Sequence, residues 1–183
     1  MADPADVLTF WLNAGPTKWF ARDDAFDRQI RDGFEVMHMR ASRGELAGWE
    51  GSADGALALL VLLDQFPRNM YRGSAHAFAT DPLARRIARA ALAKGFEREV
   101  DPAMRFFFYM PLEHSEDPGD QDRSLQLFEQ LEAETGAPGN VKWAAIHRDI
   151  IARFGRFPHR NPALGRIPPP EEQEYLDEGG FAG

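Results

Sequence analysis

The chain has 183 residues, 44% of them hydrophobic, with 14 Phe, 4 Trp and no Cys. That length suits one domain able to bury roughly 70% of its unfolded surface, and the missing thiols exclude disulfide scaffolds, thiolate metal centres and cysteine nucleophiles. A formal charge of -8 repels phosphate backbones and anionic lipid, which disfavours nucleic-acid and membrane-surface partners.

Helix signals follow one another along the chain and strand signals do not. Asp3-Pro4 reads as an N-cap with Pro in the first turn, followed by Val7, Leu8, Phe10 and Trp11 and stopped at Gly15-Pro16. Asp23 opens a second helix whose apolar positions, Phe26, Ile30, Phe34 and Met37, keep a helical period, with Gly44 beyond its end. Ser52 caps a third helix, apolar on nearly every side from Leu57 to Phe66, which Pro67 is expected to end. Thr80-Asp81-Pro82 opens a fourth helix, closed by Gly95, and Asp101-Pro102 a short aromatic fifth, Phe106 to Tyr109, closed by Pro111. A sixth starts at Asp117 or Asp120 and runs to Thr135-Gly136. A seventh runs from Pro138 to Phe154 with Trp143, Ile146, Ile150 and Phe154 as its stripe and Gly155 behind it.

These elements predict an all-α fold of about seven helices, stacked as antiparallel hairpins because the connections are short. One domain is expected over residues 1–183, with a proline-led acidic tail, residues 167–183, packing on it. There is no basic leader, and the most apolar run, residues 56–63, is far short of the roughly 20 residues a membrane span needs. The expected location is therefore the cytoplasm.

Three segments carry the residues suited to chemistry. From Arg148 to Arg166 there are five arginines (148, 153, 156, 160 and 166) and one acid, Asp149, a formal +4 within a chain of -8. Guanidinium forks match carboxylate and phosphate, so the clustering suggests an anion site. A single arginine there is explained as well by an ion pair or by the helix dipole. Glu113-His114-Ser115-Glu116-Asp117 packs three acids and an imidazole together. Such neighbours shift one another's pKa values, yet Ser115 or Asp117 also reads as a cap, and Glu116 as an acid at a helix start. Asp64 and Gln65 end the most apolar helix, where an acid opposes the dipole, so Asp64 should pair with Arg68, Arg153 or Arg156. Phe66-Pro67-Arg68-Asn69 is echoed by Phe157-Pro158-His159-Arg160-Asn161, and both phenylalanines are expected to be buried.

The candidate acid-base residues are thus His114, His147 and Asp64. The candidate ligand-binding residues are Arg153, Arg156, His159, Arg160, Asn161 and Arg68. His147 lies beside an apolar stripe, and a catalytic role would require a carboxylate or carbonyl on its second nitrogen. No His-Glu-x-x-His spacing, glycine-rich phosphate loop or Gly-x-Ser-x-Gly elbow exists, so neither a metal nor a cofactor is expected.

Residues 62–69, residues 111–117 with Gln121, and residues 147–161 closely resemble the bacterial family of unknown function 924. The resemblance extends from Val7-Leu8-Phe10-Trp11 to the acidic tail. It implies a tetratricopeptide-repeat-like helical fold and no established activity. Pro118-Gly119 and Ile167-Pro168-Pro169 depart from the family's pattern, both in turns. Two functions compete: a pocket for a small anion, with or without catalysis, and a hairpin groove that grips a peptide or protein.

Overall fold

A computed structural model of the chain describes residues 3–136 and 140–182. Every regular element among them is helical. In chain order these are α1 (Pro4–Ala14), α2 (Pro16–Trp19), α3 (Asp24–Ser42), α4 (Ala53–Leu60), α5 (Phe66–Met70), α6 (Asp81–Lys94), α7 (Met110–Glu113), α8 (Pro118–Thr135), α9 (Asn140–Phe154), α10 (Asn161–Leu164) and α11 (Pro170–Asp177). The expected count of seven was too low. Single turns such as α2, α7 and α10 leave no period to read in the sequence, and the aromatic fifth element, Pro102–Phe108, is a 3-10 helix. The expected start of the seventh helix at Pro138 lies outside the described residues; α9 is described from Asn140.

The caps explain the starts. Asp3 accepts from the Ala5 N–H, Asp23 from Ala25 and Phe26, Ser52 from Gly55 and Asp117 from Asp120, meeting donors that a helix N-terminus leaves open. Thr80 is the exception. It precedes α6, but its hydroxyl donates instead to the Leu63 carbonyl at 2.5 Å.

That diversion has a cause in the central helix. Pro67 was expected to end it, yet α4 continues through a π-helical turn, Val61–Gln65, into α5. Proline carries no N–H, so the bond from residue 67 to the Leu63 carbonyl cannot form. Side chains capture the carbonyls of this turn: His38 Nδ1 reaches Leu62 O at 2.8 Å, Thr80 Oγ1 reaches Leu63 O, and Arg68 Nη1 reaches Asp64 O at 2.6 Å. The helix survives its proline because its neighbours supply the donors.

The chain gathers into two compact units, residues 1–72 with 76–111, and residues 73–75 with 112–183. In the first, Phe66 is fully buried, its ring centroid 5.0 Å from Phe34, 5.5 Å from Trp11 and 6.1 Å from Phe10. In the second, α8 packs along α9, and Arg148 of α9 pairs with Asp122 of α8. Ile150, Ile151 and Phe157 form a core cluster of this unit, with Ile146, Phe154, Tyr175 and Phe181 against them. The buried face of α9 is Ala144, His147, Ile150 and Ile151. Of the expected stripe, Ile150 is buried and Ile146 and Phe154 pack against the core, but Trp143 is 49% exposed and His147 takes a place on the inner face.

Candidate functional site

In the first unit, Asp64 is buried on the π-turn and its partner is Arg68. Asp64 Oδ1 lies 3.3 Å from Arg68 Nη1, while Gln65 Nε2 donates to Oδ2 at 2.5 Å. Arg68 also forks onto the buried Asp81 at 3.0 and 3.1 Å. One guanidinium thus serves two buried aspartates. Leaving either buried acid uncompensated would be costly.

In the second unit the turn after α7 and the end of α9 hold the remaining candidates. His147 Nδ1 lies 2.9 Å from the Trp143 carbonyl and 3.0 Å from Glu113 Oε1. A carbonyl oxygen only accepts, so Nδ1 bears the proton and the lone pair of the neutral ring sits on Nε2. This is the carboxylate-and-carbonyl support that a working histidine requires. Glu113 and His147 are both buried. Gln121 fixes the turn: its side-chain NH2 donates to the Glu113 and Ser115 carbonyls, each at 2.6 Å, on either side of His114. The His114 and His147 rings lie 6.3 Å apart.

Phe157 is the hub. The His147 ring meets it edge-on at 5.4 Å, His159 lies at 5.5 Å, and the Arg160 guanidinium carbon sits 4.4 Å from its centroid. That last contact is a cation-π geometry, and Arg160 is only 6% exposed. Gly155, with φ at 69°, supplies the left-handed turn that carries the chain from α9 to Phe157.

The arginine excess of residues 148–166 is balanced in space. Arg148 pairs with Asp122 at 2.6 Å. Arg156 forks onto Glu172 at 2.8 and 3.0 Å, and Asn161 donates to the same carboxylate at 2.7 Å. Arg166 forks onto Glu116 at 2.7 and 2.8 Å. Arg153 is exposed and stacks over Phe154 and Tyr175. Burial alone would raise the Glu116 carboxyl. The Arg166 fork, the Phe157 N–H and the Arg160 charge together hold it below the usual carboxylate value instead. Glu172 is pulled the same way, against its burial, by Arg156 and Asn161.

Sequence reasoning named Arg68 among the partners of Asp64 but missed the carboxylates that Arg148, Arg156 and Arg166 serve. Asp64 and Arg68 belong to the first unit, and His114, His147, Arg153, Arg156, His159, Arg160 and Asn161 to the second. Glu116 read as a helix-start acid and instead secures Arg166 and the Phe157 N–H. Glu172 and Phe181 were hidden in the acidic tail, where nothing but the aromatic spacing Tyr175…Phe181 hints at packing. Among the described residues, no group of three or more His, Asp or Glu is placed to hold a metal ion, and no helix is long and apolar enough to cross a membrane.

Two helical units, the second with histidines and an arginine gathered around one buried phenylalanine, define an all-helical protein with a cationic-aromatic cluster. The chain belongs to the family described as bacterial protein of unknown function (DUF924), whose pattern matches residues 7–180. A solved structure of a protein of unknown function from Agrobacterium tumefaciens is similar over 96% of this chain and 97% of its own, with 48% identity and a TM-score of 0.90. No curated protein matches the chain.

Proposed function

We propose that the second unit binds a small anion between His114, His147, His159 and Arg160, with Glu113 and His147 available for proton transfer. The observation that carries this reading is the gathering of the buried Arg160 and two imidazoles around the single ring of Phe157. Of the segment's other arginines, Arg148, Arg156 and Arg166 hold Asp122, Glu172 and Glu116, and Arg153 faces solvent; Arg160 differs in lying buried against Phe157, where its charge also acts on Glu116. Asn161 acts through Glu172, and Asp64 with Arg68 holds the π-turn of the first unit.

The competing reading is a stack of repeat-like helical hairpins gripping a peptide. Such a groove presents contiguous exposed apolar or aromatic surface. Among the described residues of the second unit, the large apolar side chains that are strongly exposed are Trp143 and Ile167, which is little for a groove.

Thermal stability against phosphate, sulfate and simple carboxylates tests the proposal. A ligand at 100 times its Kd adds about 2.7 kcal/mol, which at about 2–4 °C per kcal/mol raises Tm by about 5–11 °C. His159→Gln, at a partly exposed position, should reduce the shift, and Arg153→Gln should leave it intact. A wild-type protein that no anion stabilises would remove the proposal in favour of the peptide reading.

A further inference from the structure

The ring of Phe181 sits in a cradle of other rings. Its centroid lies 4.6 Å from His147 and 5.3 Å from His159, at interplanar angles of 64° and 80°, with Trp143 at 6.4 Å. Near-perpendicular pairs of this kind are favoured because an aromatic face is electron-rich and its edge electron-poor. The cradle therefore fits an arene, and Phe181 is the arene it holds in this structure. Two of its walls, His147 and His159, are also the imidazoles that flank Phe157, over which Arg160 lies. An arene seated there is bordered by two imidazoles, with the Arg160 guanidinium on the neighbouring Phe157 ring.

The segment that delivers Phe181 depends on its sequence. After α11, Gly179 takes a φ of 84°, Gly180 N donates to the Tyr175 carbonyl at 2.9 Å, and Phe181 N donates to the Tyr175 hydroxyl oxygen at 2.9 Å. A Cβ on Gly180 would lie 2.5 Å from Tyr175 Cε1, Cζ and O, so this return turn accepts glycine alone. Phe181 itself is only partly buried, and its backbone amide is held by one phenol oxygen. It is a tethered, partly exposed occupant of the cradle.

We infer that the ligand of the second unit is an aromatic acid, an arene carrying a carboxylate on a short chain, and that Phe181 fills the arene subsite until that ligand displaces it. The inference rests on the anion reading above for the carboxylate end and adds the arene end. An internal occupant lowers apparent affinity by the fraction of molecules in which it blocks the site. Removing it should therefore tighten binding of aromatic acids in particular.

The test is calorimetric titration of 3-phenylpropionate, 3-cyclohexylpropionate and acetate into the wild type, Phe181→Ala and Gly180→Ala. The first variant empties the cradle, and the second breaks the return turn while keeping the ring in the chain. Imidazole NMR signals of His147 and His159 report loss of the Phe181 ring current and confirm release. We expect 3-phenylpropionate to bind both variants at least about tenfold more tightly than the wild type, with acetate unchanged and the cyclohexyl acid weaker than the phenyl one. Equal affinity of wild type and both released variants for 3-phenylpropionate, or no preference for phenyl over cyclohexyl, overturns the inference. If acetate still binds in that case, the anion reading stands alone; if no anion binds any variant, both fall.

Discussion

Thr80→Val isolates the device that lets α4 run through Pro67 into α5. The hydroxyl of Thr80 donates to the Leu63 carbonyl at 2.5 Å, and Thr80 is buried. Valine keeps the shape and removes the donor, so a buried carbonyl loses its side-chain partner, at a cost of about 1–3 kcal/mol. At about 2–4 °C per kcal/mol for a chain of this size, Tm should fall by about 2–12 °C. Thr80→Ser, which retains the hydroxyl, should cost less. The mechanism makes a sharper claim through Pro67→Ala, which restores an N–H able to reach the same carbonyl. In that background Thr80→Val should cost clearly less, so a double-mutant cycle followed by calorimetry should show coupling of at least about 0.5 kcal/mol. Strictly additive effects would refute the argument that the hydroxyl replaces the missing proline donor. So would a Thr80→Val protein as stable as the wild type.

Two pH windows follow from the shifted groups. Burial holds the His38 imidazole below its ordinary value, outweighing the bond to Leu62 O that favours its charge. The unfolded chain therefore takes up that proton first, and stability should be full above about pH 6.5 and decline as pH falls below it. His38→Gln should flatten this part of a urea-midpoint profile, and an unchanged slope would assign it to other groups. Glu116 and Glu172 are held below the usual carboxylate value, so their contribution is present above about pH 4.3 and is lost as pH falls through their lower folded values. Glu116→Gln should flatten the acid limb in the second unit, read by hydrogen exchange of α8 and α9; an undiminished acid limb would show that the Arg166 fork has no part in it.

The helices were legible because their signals are local. Asp23, Ser52 and Asp117 cap where the sequence says they should, and the apolar spacing of α3 places Phe26, Ile30 and Phe34 inside. Pro67 misled because its usual effect is local, while the donors that rescue the helix, His38 and Thr80, come from α3 and from the start of α6. The stripe of α9 was wrong at Trp143 for a related reason. Trp143 is the more apolar residue, but the inner face is set by what packs there, including the Glu113 carboxylate that takes His147 inward. The arginine cluster looked like uncompensated charge because Glu116, Asp122 and Glu172 lie 16 to 50 residues from the arginines they serve. Linear charge counting cannot see such pairs.

The echo between the two Phe-Pro-basic-Asn segments is chemical and not conformational. Pro67 sits inside a continuing helix, whereas Pro158 opens a 3-10 turn. In both, however, the phenylalanine is fully buried and the asparagine donates to a buried carboxylate from a distant element, which an arginine clamps through Nε and Nη2. In the first unit these are Asn69, Asp27 and Arg72, with distances of 2.8, 2.5 and 3.0 Å. In the second they are Asn161, Glu172 and Arg156, with distances of 2.7, 2.8 and 3.0 Å. A carboxylate so enclosed is tolerable only when paired and hydrogen-bonded on both oxygens, and here each one pins the turn behind its phenylalanine. The difference lies in the basic residues between Pro and Asn. In the first unit Arg68 is drawn onto Asp64 and Asp81, a structural use of charge. In the second, Arg160 lies across the Phe157 ring with His159 beside it. One framework thus appears twice: the arginine between Pro and Asn clamps two acids in the first unit, and in the second it is stacked on the phenylalanine ring while its charge also acts on the Glu116 carboxylate.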